Sequence, residues 1–203
     1  MYVKSKSQYI FYIDSPVNNV YVYGRKVVKM SFYSLLKSRR SIRKFQNKQV
    51  EKEKIEVILK SALLSPSSRS RRPWEFIVVT DKDILNALSK CREHSSSFLA
   101  DAPLGIVVIA DPNACDVWVE DASIASIIIQ LAAQSLGLGS CWIQARERYH
   151  AGNTKAGDYI KNILGIPEKY EVECMVAIGY PAEEKKPYDD SQLEYDKIHY
   201  ERY

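Results

Sequence analysis

The chain has 203 residues, 46% of them hydrophobic, with 8 glycines and 8 prolines, which allows one sizeable core and excludes a disordered or fibrous chain. No stretch approaches the roughly 20 apolar residues of a membrane span, and Met1 to Asp14 lacks the apolar core of a secretory signal, so a cytoplasmic protein without a membrane partner is expected. The net charge of +4 conceals an asymmetry: residues 1–72 carry 17 Lys/Arg against 4 Asp/Glu (+13), and residues 73–203 carry 12 against 21 (−9).

In chain order, Tyr9–Ile13 and Asn19–Tyr23 read as two short strands around a Pro16-Val17-Asn18-Asn19 turn. A second methionine, Met30, precedes Ser31, a helix N-cap whose helix places Phe32, Leu35 and Leu36 on one face. Residues 1–29 are therefore expected to be an appendage or a mis-called start, and residues 30–203 the main domain. Glu51–Leu64 repeats Ile55, Ile58, Leu59 and Leu63 at helical spacing and stops before Pro66, which pushes its predecessor out of the helical region. Phe76–Val79 is a buried-type strand, Lys82–Cys91 a helix, and Leu104–Ala110 a second strand. Trp118–Leu136 is the longest helix. It is apolar nearly all round, so it must be buried on most sides, and a subunit interface is one way to do that. Gly137-Leu138-Gly139 closes it. Ser140–Ile143 is a strand, Asp158–Leu164 a helix and Glu173–Ile178 a strand. Strands and helices mix without regular βαβ repetition, which favours an α+β fold.

Cys91, Cys115, Cys141 and Cys174 lie far apart with no CxxC pair, so they are expected to be reduced and buried, and no metal site is expected. His94, His150 and His199 are scattered and read as surface or locally bonded residues. Three stretches carry possible chemistry. Arg39-Arg40-Ser41-Ile42-Arg43 offers a set of guanidinium donors and a hydroxyl that suits a phosphate; on charge alone a basic helix end is the favoured reading. Ser65 to Phe76 is a Ser- and Arg-rich loop that runs into a buried strand. Its Arg69, Arg71 and Arg72 suit an anion, and stacking on Trp74 would suit a nucleic acid, but no nucleic-acid motif accompanies it and no such partner is expected. Gly137 to Gln144 lacks the GxGxxG pattern and follows a helix, so it is not a dinucleotide fingerprint.

Taken in order, four segments resemble the nitroreductase family of flavoproteins. RRSIRKF resembles its RRSxRxF segment, and SPSSRSRRPWEFIVV its APSxxNxQPWxF segment. DASIASIIIQLAAQSLGLGSCWIQ resembles its central helix and GLGTCWIG-type turn, and LGIPEKYEVECMVAIGYPAEEKKP its LGIPE…AIGYPAE…KPR segment. The resemblance runs from about Met30 to the C-terminus. It implies a central, mostly antiparallel sheet flanked by helices, and an intertwined homodimer with two FMN sites at the interface. Arg39, Arg40, Ser41 and Arg43 would hold the phosphate and ribityl chain, and Lys186 would match the first cation of the C-terminal pair. Pro66, Ser67, Ser68 and Ser70 would approach from the partner subunit, and Trp142, Ile143 and Gln144 would lie along the isoalloxazine. The segment from Trp142 to Gly165, with Tyr149 and His150, would help form a pocket lid.

The implied activity is transfer of hydride from NADH or NADPH to FMN and then to a small organic acceptor, a nitroaromatic, a quinone or similar, with no catalytic acid or base. The chain departs from the family pattern at Ser70, Arg72, Gln144-Ala145 and Tyr188, where Asn, Gln, Glu-Gly or Gly, and Arg are usual. Two other readings stay open: a member with another flavin chemistry (dehalogenation, flavin fragmentation or azoline oxidation), and a flavin-binding module without enzymatic activity.

Overall fold

The computed structural model describes residues 31–203 and the backbone of Ile10–Ile13, Val20–Tyr23 and Lys26–Lys29; Tyr9, Asn19, Met30 and the expected turn at 16–19 lie outside the described residues. Two compact units form, Met1–Ser38 with Pro187–Tyr203, and Arg39–Lys186.

In the first unit, β1 (Ile10–Ile13), β2 (Val20–Tyr23) and β3 (Lys26–Lys29) make an antiparallel sheet in that order. The third strand is not anticipated from sequence, because only Val27 and Val28 separate its terminal lysines. α1 (Phe32–Ser38) starts as expected, with the Ser34 N–H donating to Ser31 Oγ at 3.1 Å. Asp190 Oδ1 accepts from the Tyr33 hydroxyl at 2.6 Å and from Lys37 Nζ at 3.2 Å, which fastens α1 to the C-terminal segment.

The second unit holds α2 (Lys52–Leu63), β4 (Trp74–Val79), α3 (Lys82–Leu88), β5 (Leu104–Ala110), α4 (Trp118–Ser135), β6 (Gly139–Gln144), α5 (Ala156–Leu164) and β7 (Glu171–Gly179). Its sheet has the order β4-β5-β7-β6, and every pairing is antiparallel. Strand alternation divides the core into two layers. Val107, Ile109, Met175 and Ala177 pack with Leu85, Leu88 and Ile160 on one face. Ile106, Val108, Val176 and Ile178 pack with Ile58, Ala122, Ile129 and Ala133 on the other. The expected α+β architecture, an antiparallel sheet flanked by helices, is what forms.

Element ends differ from the sequence reading for local reasons. β4 begins at Trp74, which pairs with Ala110, two residues before the apolar run. α3 stops at Leu88, three residues short of the expected end. Ser89 Oγ donates to the Asn86 carbonyl at 2.8 Å and Ser96 Oγ to the Ser89 carbonyl at 2.7 Å, so serine hydroxyls take the carbonyls that further helix would need. β7 is longer than expected because it pairs on both sides, with β5 and with β6. α4 buries Ala122, Ala125 and Ile129 but leaves Ile124 and Ile127 exposed. Among the described residues no helix is long and apolar enough to cross a membrane.

Candidate functional site

The basic run Arg39–Arg43 lies in extended chain between two other segments. On one side the Ile42 N–H donates to the Ser140 carbonyl at 3.0 Å, with Ser41 and Ser140 as parallel bridge partners at the start of β6. On the other side runs the chain that follows β7. The Gln46 N–H donates to the Tyr180 carbonyl and the Ala182 N–H to the Lys44 carbonyl, each at 2.8 Å. The Arg40 guanidinium donates to the Lys186 carbonyl, and Lys185 Nζ donates to the Ser41 carbonyl at 2.6 Å. The chain after β7, more than 130 residues away in sequence, thus comes beside the basic run; Lys185 joins Arg39, Arg40 and Arg43 in one cationic group, and Lys186 meets it through its carbonyl.

Glu183 sits within this group and is mostly occupied with backbone. It accepts from the N–H groups of Arg43 and Lys44. The Arg43 N–H is the largest cause holding its carboxyl below the usual range, with Lys185 adding to the effect. The field of the cations reaches the neighbouring Cys141: burial pushes its thiol up, and Arg43, Ser41, Lys185 and Arg39 pull the other way. The arrangement is an edge with surplus positive charge whose chemistry suits an anion. Lys185 and Glu183 were missed in the sequence; the Glu-Glu-Lys-Lys run at 183–186 was the available signal, and it reads as a solvated tail until its neighbours are known.

Two glycines lie between α4 and this edge, and the second allows its close packing. Gly137 closes α4 with φ +75°, a left-handed conformation that a β-carbon disfavours. Gly139 opens β6 with Ile42 directly against it: an added Cβ would lie 2.8 Å from Ile42 Cβ, Cγ1 and Cγ2. Along β6, Trp142 is half-buried and its Nε1–H donates to Gln144 Oε1 at 2.9 Å, while Gln144 Nε2 donates to the Arg146 carbonyl at 3.1 Å. The Ile143 side chain is buried in the core with Met175 and Ala177, so only its backbone is open to a ligand. Beside Gln144 lies Glu173, which is 3% exposed, with Ser123 Oγ 3.4 Å from Oε1 and, among the described residues, no hydrogen-bond partner for Oε2. Burial is the largest cause pushing its carboxyl up.

The Ser/Arg loop is held to the start of α4. Asp121, 3% exposed, accepts from the Ser68 N–H at 2.8 Å and from the Cys115 thiol at 3.4 Å. Ser67 Oγ accepts from the Arg72 N–H at 2.9 Å. Arg69, Ser70 and Arg72 adopt φ of 51°, 53° and 49°, left-handed conformations that cost non-glycine residues about 1–3 kcal/mol each and persist only where surroundings enforce them. The buried Ser65 Oγ and Trp74 Nε1, one at each end of the loop, have no hydrogen-bond partner among the described residues. The loop bonds to α4 and to the Ala114 carbonyl; none of its hydrogen bonds among the described residues reaches Arg39–Arg43. Asp121 was not singled out from the sequence, where it begins an apolar helix as an ordinary N-terminal acid. Asp121→Ala is expected to destabilise the fold by about 1–3 kcal/mol, since the Ser68 N–H loses its partner in a part-buried place. Asp121→Asn, which keeps an acceptor, is expected to lose less; urea unfolding of both variants checks this.

Of the segment Trp142–Gly165 expected to help form a lid, the ends belong to β6 and α5, and residues 149–155 between them form a small hairpin. The Ala156 N–H donates to the Arg148 carbonyl at 2.8 Å, and the His150 ring stacks on Tyr159 at 3.9 Å and bonds the Lys90 carbonyl. His150 is thus a locally bonded residue, and the four cysteines are free and buried.

Comparison with known proteins places this geometry. The nitroreductase family model matches residues 36–92 and 87–180. A solved FMN-dependent nitroreductase from Clostridium difficile is 55% identical, with a TM-score of 0.84, covering 85% of this chain and 100% of its own. An Archaeoglobus fulgidus protein named "Putative NADH dehydrogenase/NAD(P)H nitroreductase" is 40% identical over 174 residues, 83% of this chain and 97% of its own. Human iodotyrosine deiodinase 1 is more distant, 25% identical over 86% of this chain and 70% of its own. By the extent of these matches and the shared fold, the chain belongs to the nitroreductase family.

Proposed function

We propose that this chain is an FMN-dependent oxidoreductase that takes hydride from NADH or NADPH and passes electrons to a small organic acceptor such as a nitroaromatic or a quinone. The observation that carries the reading is the meeting of Arg39–Arg43 with Lys185 and Lys186 at the edge of β6. That donor set fits FMN: guanidinium forks and a hydroxyl suit a phosphate dianion, and Trp142 and Gln144 follow on the same strand to line a ring system. When bound, FMN supplies the redox chemistry, accepting hydride and returning electrons.

The chain's own residues bind and orient. Arg39, Arg40, Ser41, Arg43 and Lys186 hold the phosphate and ribityl chain, and Lys185 adds charge while fixing the Ser41 carbonyl. Trp142 and Gln144 lie along the flavin, and Ile143 contributes its backbone. Pro66, Ser67, Ser68 and Ser70 reach the flavin from a second copy of the chain and close the site against water. No side chain is assigned as a proton donor or acceptor. A homodimer is supported by the apolar surface left on the single chain: Ile124 and Ile127 on α4, Leu63 at the end of α2, and Leu64, which is 84% exposed. Residues 1–29 are proposed as an addition to a domain that begins at Met30; the Clostridium structure is covered in full by 85% of this chain.

Purified protein is expected to be yellow, to bleach anaerobically on addition of NADH or NADPH, and to recover colour with a nitroaromatic or a quinone. Colourless protein that cannot be reconstituted with FMN would overturn the reading. Sedimentation as a monomer would overturn the shared site.

A further inference from the structure

We propose that Arg69 and Arg72 select substrates that carry an oxyanion, a carboxylate or phosphate, among the molecules that reach the flavin. The inference rests on the flavoenzyme reading above and names the substrate class for that site.

The loop that carries these arginines is ordered by its backbone. Asp121 holds the Ser68 N–H, Ser67 Oγ holds the Arg72 N–H, and the Ser70 N–H donates to the Ser67 carbonyl at 3.1 Å. Arg69 and Arg72 both stand in left-handed conformations. Glycine or asparagine would accept such positions more readily, so solubility alone does not explain two arginines there. Both are exposed, and among the described residues neither guanidinium meets a carboxylate or a hydrogen-bond acceptor. Arg71 between them differs, because its guanidinium donates to the Ala114 carbonyl at 3.1 Å. Two unpaired planar forks on a fixed backbone are suited to an oxyanion, which they can bind bidentately.

Ser65 and Trp74, 6% and 5% exposed, bracket the loop with buried polar atoms that have no partner among the described residues. The flavin phosphate does not account for the arginines. FMN has one phosphate, and Arg39, Arg40, Arg43 and Lys185 already gather at the β6 edge. The charge on the loop is left for a molecule that visits the flavin: the 2′-phosphate of NADPH, or the carboxylate of an acceptor.

The test uses flavin-loaded protein, wild type and the double variant Arg69→Gln/Arg72→Gln, with the FMN-to-protein ratio measured first by absorbance. Two substrate pairs are compared by kcat/KM: NADPH against NADH, and 4-nitrobenzoate against 4-nitrobenzyl alcohol. The wild type is expected to favour the oxyanion in at least one pair, and the double variant to lower that ratio about tenfold, the scale of a lost charge-assisted hydrogen bond. A change confined to the nucleotide pair places the arginines on the donor phosphate; a change confined to the nitroaromatic pair places them on the acceptor carboxylate. Ratios unchanged in both pairs overturn the proposal. So does a fall in bound FMN with unchanged ratios, which puts the arginines on the cofactor. Wild-type protein that binds no flavin, or is reduced by neither nucleotide, overturns the flavoenzyme reading instead.

Discussion

Arg39→Ala will weaken FMN binding by about ten- to a hundredfold, because each hydrogen bond to a charged group contributes roughly 1.5–3 kcal/mol and each 1.4 kcal/mol is a factor of ten. The measurement is a fluorescence titration of apoprotein with FMN, set beside the same titration with riboflavin, which lacks the phosphate. The variant is expected to lose affinity for FMN and to keep its affinity for riboflavin, so the preference of one over the other collapses. Arg39 is the informative position because Arg40 already donates to the Lys186 carbonyl and Arg43 lies 5.7 Å over the Phe98 ring; removing either of those also disturbs a contact within the chain. Equal loss for both flavins would place Arg39 away from the phosphate, and no loss for either would remove it from the site. Salt should mimic the variant in part, since screening weakens exposed charge pairs.

Gly139→Ala will damage both the fold and the cofactor site. The new methyl would meet three atoms of Ile42 at 2.8 Å, closer than side-chain carbons pack. Ile42 cannot swing away, because its N–H is bonded to the Ser140 carbonyl and its side chain is buried. Overpacking of this kind costs about 1–3 kcal/mol. The displacement falls on the residue between Ser41 and Arg43, so the expected result is a lower urea midpoint together with FMN affinity reduced at least tenfold. Gly137→Ala is the useful contrast. An added Cβ there meets nothing within 4 Å, and the cost is confined to the left-handed φ of +75°, so it should lower stability with little change in flavin affinity. Equal affinity losses in the two variants would show that the close approach of Ile42 to β6 is not what places the anchor.

Much of this was legible in the sequence, for reasons that differ by feature. Leu104–Ala110 and, within the expected strand 173–178, Cys174–Ile178 are apolar runs of strand length, and such runs declare themselves because burial on both faces favours apolar residues. Ser31 declared α1 by its hydroxyl. The Arg39–Arg43 run was visible as charge, yet charge alone could not separate a phosphate anchor from a helix end; the order of four segments is what favours the anchor, which stands as a proposal. What stayed hidden depends on contacts between distant residues. Lys185 looks like any tail lysine until Ser41 lies beside it. Asp121 looks like an ordinary N-terminal acid until the Ser68 N–H arrives. The left-handed conformations of Arg69, Ser70 and Arg72 occur at residue types that do not announce them, so the loop's shape could not be read from composition. β3 was hidden because two valines between lysines carry too short a pattern.

The sheet order has a consequence for when the site can exist. β6 pairs with β7 but not with β5, so the strand that carries Ser140 and Trp142 has no neighbour in the sheet until residues 171–179 have been made. The anchor needs still later chain, Glu183 to Lys186. During synthesis the first 165 residues can therefore collapse around β4 and β5 while the binding edge is absent, and contacts of such sequence separation are slow to form. A flavin held there would bind only the finished arrangement and would stabilise it by mass action. Cofactor uptake would then act as the last step of folding, and scarcity of flavin would leave a population whose β6 edge opens first.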